Sequence, residues 1–337
     1  MADEVIVTRV FAILALVSCG LAAEAPKIHV DPAGSGWVRV TTANFELYTT
    51  AEEGAGRILI LRLERLRTLL QPVLRWPGDT GGERERPICI IAFGSHDEFQ
   101  PYAPISRSIG FFLPGKRRDF VVLDGSHAES RAAAHEYVHF LVAQSGLRLP
   151  TWLNEGLAEL YSNLEEARPG QGTAIGRFIP GRVLSLRRDA WIDLAGLVSA
   201  SSRSDFFTSP ARVDSAYAES WLLAHMLVLD PRYASKFPEF LAALQTAETP
   251  EAFRSVYGKS LAQVEQEFNA YLEVGQTNAR ILGDSAAPAD LPVQVKRQAD
   301  FDGRMALIEM LGNYSGRVEQ SRDLYRRLAL DYPQLLP

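Results

Sequence analysis

The sequence predicts an α+β fold: a small mixed β-sheet with a pair of neighbouring helices, followed by a mostly helical C-terminal part. Two patterns indicate this fold. Apolar residues before residue 145 follow the order strand, helix, strand, hairpin and helix. After residue 210 they recur mainly at the three- and four-residue spacing of helices. This succession of elements is typical of α+β proteins.

Length and composition indicate a globular protein. The chain has 337 residues, of which 47% are hydrophobic and 23% are charged. This length suits two domains, or one large domain with an appendage. The 35 basic and 41 acidic residues give a net charge of −6. This balance gives no electrostatic attraction to nucleic acid, so no nucleic-acid partner is expected.

The N-terminal 25 residues predict an export signal. Residues 10–23 form an apolar run that is too short for a typical membrane span, and Ala23-Glu24-Ala25 resembles a cleavage site. Leu16-Val17-Ser18-Cys19 resembles a bacterial lipobox, in which Cys19 would be lipidated and attach the protein to a membrane. We therefore expect residues 1–25 to be a signal peptide or lipoprotein signal of an exported bacterial protein. Two destinations stay open: a periplasmic or cell-envelope lipoprotein, and a secreted protein.

The strands of the predicted sheet, and a helix that lies between them in the sequence, come before residue 125. They are a strand or hairpin over Trp37–Thr50, a helix over residues 55–74, a strand over Pro87–Phe93, and a hairpin formed by Ile109–Leu113 and Phe120–Leu123. Lys116-Arg117-Arg118 lies at the tip of this hairpin and is expected to be solvated. A weaker alternative is that these basic residues contact an acidic substrate or anionic lipid headgroups.

A metal-binding pattern follows the sheet. His135-Glu136-Tyr137-Val138-His139 has two histidines four residues apart in an apolar run. On a helix both imidazoles lie on one face, one turn apart, where two nitrogens can reach one zinc ion at about 2.0–2.1 Å. Glu136 lies beside the same site and can accept a proton from the water that the metal activates. Ser126 and Glu129 form a capping-box pattern that predicts a helix start near His127, and Gly146 is its expected end.

A second helix is expected to supply the third metal ligand. It begins near Thr151, after a turn through Ser145–Pro150, and returns along the first helix. Glu155 then comes level with the two histidines and completes a three-ligand set. Glu159 lies one turn further on the same face, where its carboxylate can accept a hydrogen bond from the outer ring nitrogen of a ligand histidine.

These two segments resemble the gluzincin metallopeptidases, in which two histidines and a downstream glutamate hold zinc. The resemblance covers roughly residues 130–162 and rests on His-Glu-x-x-His followed by Trp152-Leu153-Asn154-Glu155-Gly156. The bacterial peptidase-MA-like group is the better match within it. The Gly-x-Met-Glu-Asn motif by which aminopeptidases bind the substrate amine does not occur in the sequence. The resemblance therefore implies a thermolysin-like helix pair and a zinc-dependent endopeptidase acting on peptides or proteins.

The same resemblance implies two further features of the site. Gluzincins bind extended peptide along an edge strand next to the metal helix, and Ile109–Leu113 is the candidate strand. An interior position for this strand is an equally weighted alternative. Gluzincins also use a Tyr or His from a later helix to stabilise the oxyanion that forms during peptide hydrolysis. Tyr217 is the first choice for this residue, and His225 is the reserve. The alternative for Tyr217 is an ordinary core position on an amphipathic helix. The alternative for His225 is a core histidine whose hydrogen bonds are all made within the protein.

Two other functions are compatible with the same residues. The protein could be a catalytically inactive zinc-binding scaffold that holds a protein partner in the cell envelope. A weaker option keeps the fold but changes the bond that is cleaved, for example to a peptide bridge of the cell wall. Both options retain the metal ligands His135, His139 and Glu155.

The rest of the chain predicts helices, a linker and a helical C-terminal segment. The expected elements are a loop over Glu165–Gly172, a short hairpin over Thr173–Val183, a helix over Trp191–Ala200, a loop over Ser201–Pro210 and helices over Ser215–Leu229, Phe237–Leu244 and Pro250–Leu272. The Ser201–Pro210 loop could form a lip over the site, although a surface loop is favoured.

The predicted division of the chain places the peptidase-like domain at residues 26–275, a linker at 276–300 and a helical segment at 301–337. Ser321, Tyr325, Leu328 and Pro333 match the second helix of a tetratricopeptide-like repeat. Such a truncated repeat could bind a protein partner, whereas a bare helical appendage is the alternative.

Overall fold

The fold is known from a computed structural model, which describes residues 36–70, 87–104, 108–125, 131–166, 172–282, 291–314 and 316–335. It confirms the predicted fold class: the described residues form a mixed sheet and many helices, with a helical C-terminal part. The predicted signal segment, the capping residues Ser126 and Glu129, and residues 71–74 at the end of the predicted helix over 55–74 lie outside the described residues.

The main sheet has six strands among the described residues. Its members are β1 (Val38–Thr41), β2 (Phe45–Thr49), β3 (Ile88–Phe93), β4 (Gly110–Leu113), β5 (Phe120–Asp124) and β9 (Gln294–Lys296). They lie side by side in the order β4-β5-β3-β2-β1-β9. The three central strands, β2, β3 and β5, run parallel, and the outer pairs are antiparallel. A three-stranded second sheet consists of β6 (Glu165–Glu166), β7 (Thr173–Ile175) and β8 (Arg280–Leu282).

The central strands are buried on both faces, which explains their apolar sequences. Every residue of β3, Ile-Cys-Ile-Ile-Ala-Phe, is buried, and so is every residue of β5. Such strands lack the alternation of polar and apolar residues because helices cover both sides of the sheet. One face packs against α1 (Glu53–Leu70) and α3 (Ala132–Ser145). The other packs against α13 (Asp300–Leu311), which in turn packs against α14 (Val318–Asp331).

The helical part surrounds one central helix. After the short α2 (His96–Phe99), the further helices α4 to α12 are Thr151–Ser162, Pro180–Arg188, Leu194–Ser199, Asp205–Thr208, Val213–Leu229, Pro231–Ala234, Phe237–Ala243, Thr249–Ala252 and Leu261–Val274. Helix α8 (Val213–Leu229) is buried along nearly all of its length, and α4, α5, α7, α9 and α12 pack around it. A helix that is apolar on all sides needs such a covering. Among the described residues no helix is both long enough and apolar enough to cross a bilayer.

Gly156 permits the closest approach between α4 and α8. A Cβ atom at this position would lie 2.2 Å from the carbonyl oxygen of Ser220 and 2.8 Å from the Cβ of Ala224. Both values are far below van der Waals contact, so only glycine fits without moving a helix. The residue that follows the candidate ligand Glu155 therefore sets how near the two helices pack.

Several predicted elements need correction. Thr173–Val183 is not a hairpin: β7 is followed by α5, which starts at Pro180, a residue that suits the first turn of a helix. The predicted loop Ser201–Pro210 contains the short helix α7. The predicted single helix over Pro250–Leu272 is broken at Gly258, whose φ of 66° ends one helical segment before α12 begins.

Arg118 differs from the solvated residue that its position in a hairpin suggested. Its side chain is only 14% exposed and forms ion pairs with Glu46 on β2 and Glu309 on α13. These charges lie between the sheet and the C-terminal helix, so Arg118 links the two layers.

The segment predicted to be a linker contains regular structure at both ends. β8 joins the second sheet, and β9 pairs with β1 at the edge of the main sheet. The domain boundaries and the relation of α13 and α14 to a tetratricopeptide-like repeat stay predictions. The strand pairing shows how α13 is held next to the sheet.

We expect Gly156→Ala to destabilise the protein by at least ~1–3 kcal/mol, because the added methyl group overpacks the contact between α4 and α8. Chemical denaturation measures the change. Gly54→Ala on α1 is the matched control, since nothing lies within 4 Å of a Cβ there. Equal stability of the two variants would contradict the close packing of these helices.

Candidate metal site

The first two candidate ligands lie on α3. The helix begins at Ala132, later than the predicted start near His127, and ends at Gly146, whose φ of 72° is the left-handed conformation that terminates helices. His135 and His139 point to the same side, and their Nε2 atoms are 3.0 Å apart. The four-residue spacing thus brings the two imidazoles together as the sequence predicts.

The third candidate ligand comes from α4. The chain turns after Gly146, and the carbonyl of Pro150 accepts hydrogen bonds from the backbone N–H groups of Leu153 and Asn154, which opens the new helix. Glu155 then lies one turn in, with its side chain only 1% exposed. Its Oε2 atom is 3.3 Å from Nε2 of His135 and 3.5 Å from Nε2 of His139.

The three atoms have the spacing of ligands around one ion. Their mutual distances are 3.0, 3.3 and 3.5 Å. Two atoms bound at about 2.0–2.1 Å to a tetrahedral ion are themselves roughly 3.3 Å apart. His135, His139 and Glu155 can therefore hold a metal ion, and they form the one group of three such side chains among the described residues.

Glu155 has the environment of a metal ligand rather than of a core residue. Both of its carboxylate oxygens are buried, and neither makes a hydrogen bond of normal geometry within the described part of the chain. A buried carboxylate without such partners is strongly destabilising unless a cation compensates it. The ligand set thus fits a bound divalent ion.

The charges around the site also favour a cation. Burial by itself would raise the pKa of Glu155, but the charges of His139 and His135 outweigh this effect and lower that pKa to about 2. Burial would lower the pKa of His135, but its contacts with Glu155 and Glu159 raise that pKa to about 10. The imidazole of His135 is therefore protonated in the metal-free protein. Metal binding would displace this proton, since a ligand histidine must be neutral.

Glu159 lies behind His135, as expected for a carboxylate that orients a ligand. Its Oε1 atom is 3.4 Å from Nδ1 of His135. Arg182 donates two hydrogen bonds to the same carboxylate, from Nε and Nη2, each 2.9 Å long. Arg131 approaches it at 3.4 Å. Burial would raise the pKa of Glu159, but His135 and Arg182 keep this pKa well below its usual range, so the carboxylate is charged.

Glu136 lies between the metal helix and the edge of the main sheet. The backbone N–H of Phe112 on β4 donates a hydrogen bond to its carboxylate. A Cβ at Gly110 would lie 3.4 Å from Cγ of Glu136, so the strand passes directly alongside this side chain. Burial raises the pKa of Glu136, and the charges of His135 and His139 act in the opposite direction. A carboxylate with a raised pKa is a better proton acceptor.

Among the described strands β4 lies at the edge of the main sheet, as the first of the two alternatives predicts. Its inner side pairs with β5, and the Ile109 carbonyl accepts a hydrogen bond from the Asp124 N–H at 2.9 Å. Alternate residues of an antiparallel strand point their backbone groups to opposite sides. Gly110 and Phe112 therefore direct their backbone groups away from β5, on the side where Glu136 lies.

Tyr217 lies next to the candidate ligands. It is on the first turns of α8, and its ring centroid is 6.1 Å from that of His135. Burial and the negative charges of Glu155, Glu136 and Glu159 raise the pKa of Tyr217 well above its usual value, so the phenol keeps its proton. A neutral phenol can donate a hydrogen bond, which a phenolate cannot.

His225, the reserve choice, is a core residue two turns further along α8. It is fully buried, and its ring nitrogens lie 2.9 Å from the Tyr271 hydroxyl and 2.7 Å from the Gly176 carbonyl oxygen. Burial lowers the pKa of His225 to about 4, so the ring is neutral at physiological pH. With both nitrogens bonded within the core, this histidine has no remaining donor for a substrate.

Sequence reasoning missed two groups that contact the site. The predicted hairpin over Thr173–Val183 includes Arg182, and no local pattern marks the long-range pairing of this residue with Glu159. The backbone N–H of Phe112 carries no side-chain signature at all. The one available signal for Arg182 was Pro180, which indicates the first turn of a helix and hence a defined direction for the residues after it.

Fold and site together define an α+β protein with a candidate His-His-Glu metal centre. A family profile described as "Protein of unknown function (DUF1570)" matches residues 130–252. The matched segment contains all three candidate ligands and Tyr217 but covers only about a third of the chain. No curated protein matches the sequence.

Proposed function

We propose that the protein is a zinc-dependent peptidase, more specifically an endopeptidase. One observation carries the proposal: two imidazoles and a buried carboxylate converge at tetrahedral spacing, with Glu136 beside them, and within the described part of the chain the carboxylate makes no hydrogen bond of normal geometry. The same ligand types also serve non-haem iron, which prefers octahedral geometry with separations near 3.0 Å. The separations of 3.0, 3.3 and 3.5 Å centre on the tetrahedral value and favour zinc.

Bound zinc would supply Lewis-acid chemistry, lowering the pKa of a water molecule from about 16 to about 7. Glu136 accepts a proton from the attacking water while the water oxygen forms a bond with the peptide carbonyl carbon. Tyr217 donates a hydrogen bond to the carbonyl oxygen as negative charge develops on it. When the carbon–nitrogen bond breaks, Glu136 passes the proton to the leaving nitrogen. Water is thus consumed and a carboxylate and an amine are produced.

The edge strand β4 is the surface that would bind the substrate backbone. Gly110 directs its backbone groups outward, next to Glu136, so an extended peptide could pair there and bring its scissile carbonyl near the metal ligands. Backbone pairing fixes the substrate without using its termini. This supports an endopeptidase, as does the absence of the Gly-x-Met-Glu-Asn motif from the sequence.

Other parts of the proposal rest on sequence alone. We propose that the protein is exported from a bacterial cell, with or without lipidation of Cys19, and acts on peptides or proteins outside the cytoplasm. We also propose that the C-terminal helices bind a protein partner. If the peptidase chemistry fails while zinc binds, the inactive envelope scaffold becomes the better account.

Glu136→Gln should retain zinc and lower peptide hydrolysis by roughly 10²–10⁴-fold or more, because the amide cannot accept the proton from water. A broad quenched-peptide screen with and without chelator identifies a cleaved peptide, and metal analysis runs alongside. The control is Glu165→Gln, an exposed carboxylate paired with Arg177. Full hydrolysis by Glu136→Gln would end the peptidase proposal.

Tyr217→Phe should lower kcat by about 10²–10³-fold with little change in KM, because the missing hydroxyl acts when charge develops on the carbonyl oxygen. Steady-state kinetics on the same peptide measure both constants. Tyr257→Phe is the matched control, since it removes a hydroxyl that donates a hydrogen bond to the Tyr233 carbonyl oxygen, away from the candidate ligands. An unchanged kcat in Tyr217→Phe would exclude this oxyanion role.

A further inference from the structure

Arg182 contacts two different parts of the candidate site. It lies in the first turn of α5, and its side chain is 19% exposed. On one side it donates two hydrogen bonds of 2.9 Å to the Glu159 carboxylate. On the other side its guanidinium carbon lies 5.3 Å from the centroid of the Tyr217 ring.

The pairing with Glu159 has the geometry that fixes a carboxylate in one orientation. Two parallel N–H···O bonds hold the plane of the carboxylate as well as its position. The Oε1 atom held in this way is also the one that lies 3.4 Å from Nδ1 of His135. The orientation of the ligand imidazole therefore depends on a carboxylate that Arg182 fixes.

The contact with Tyr217 comes from the same guanidinium. A guanidinium within about 6 Å of a ring centroid is attracted to the aromatic face. The Tyr217 ring is also bounded by Phe207, whose centroid is 5.9 Å away, and by His135. Arg182 thus forms one wall of the space in which the ring lies, and it limits how the phenol can turn relative to the metal ligands.

The position of Arg182 in its helix does not explain its presence. A positive charge in the first turn opposes the helix dipole, which favours acidic residues there. Arg187 and Arg188, in the last turn of α5, have the favourable placement and are mostly exposed. The unfavourable position is offset by the contacts that Arg182 makes with Glu159 and Tyr217.

We infer that Arg182 is a positioning residue that couples the metal-ligand side of the site to the oxyanion side, through Glu159 and Tyr217 respectively. The role of Tyr217 rests on the proposed peptidase function, whereas the action on His135 requires only that the site binds metal. The two parts can therefore be tested separately.

Zinc affinity tests the first part without any hydrolysis. Arg182→Lys keeps the charge but loses the paired hydrogen bonds, and Arg182→Met loses both. We expect the zinc dissociation constant of the full chain to rise roughly 10- to 100-fold in Arg182→Met and about 10-fold in Arg182→Lys. Arg187→Met, on the same helix, should stay within about twofold of the unsubstituted protein. Competition with a chromophoric chelator measures all four proteins.

Two further measurements separate positioning from general destabilisation. The visible spectrum of the cobalt-substituted protein should change in Arg182→Lys and stay the same in Arg187→Met, because it reports the geometry of the ligands. The double variant Arg182→Lys/Glu159→Gln should bind zinc about as weakly as Glu159→Gln alone, since both changes act through one carboxylate. If Arg182→Met does not fold, Arg182→Lys carries the same tests.

Unchanged zinc affinity and an unchanged cobalt spectrum in folded Arg182→Lys would overturn the inference. A double variant whose loss of zinc affinity equals the sum of the losses in the two single variants would also overturn it. If the unsubstituted protein binds zinc but cleaves no peptide, the peptidase proposal fails while these measurements still judge the action of Arg182 on His135. Where a peptide is cleaved, Arg182→Lys should lower kcat more than it raises KM. The reverse pattern would contradict the part that concerns Tyr217.

Discussion

The structure depends on one buried carboxylate. Glu155 lies 1% exposed between two imidazoles, and neither of its oxygens makes a regular hydrogen bond within the described residues. Leaving such a group uncompensated costs several kcal/mol, which a domain of ordinary stability cannot easily tolerate. The protonated imidazole of His135 balances this charge in the metal-free protein, and a divalent cation shared with His135 and His139 replaces that proton when metal binds. Metal binding and the folding of α3 against α4 are therefore expected to be coupled.

The surrounding packing serves to hold Glu155 in place. Gly156 lets α8 approach α4 so closely that no side chain fits between them, and α8 carries Tyr217 to the same site. The sheet contributes from the opposite direction, because the edge strand β4 places Phe112 against Glu136. Helix α8 and strand β4 thus both approach the ligands, α8 through its close contact with Gly156 and β4 through the backbone N–H of Phe112.

Local patterns in the sequence predicted the parts of the site that repeat along one helix. The spacing of His135 and His139 fixes their common face, and Glu155 and Glu159 follow the same periodicity on the next helix. The fully apolar runs of β3 and β5 likewise predicted buried strands. These predictions hold because each relation spans only a few residues.

Relations between distant residues could not be predicted in this way. Arg182 meets Glu159 across 23 positions, and β9 pairs with β1 although more than 250 residues separate them. Arg118 was expected to be solvated because its own sequence is polar, whereas its partners Glu46 and Glu309 lie far away in the chain. Tertiary packing decides such contacts, and a single sequence shows only the residues that could take part in them.

The most direct test of the metal centre is the zinc content of the purified full chain beside that of Glu155→Ala. We expect about one tightly held zinc per chain in the unsubstituted protein and almost none in the variant, with zinc retained in the exposed-carboxylate control Glu165→Ala. A full complement of zinc in Glu155→Ala, or an unsubstituted protein that binds no divalent metal when supplied with it, would contradict the account.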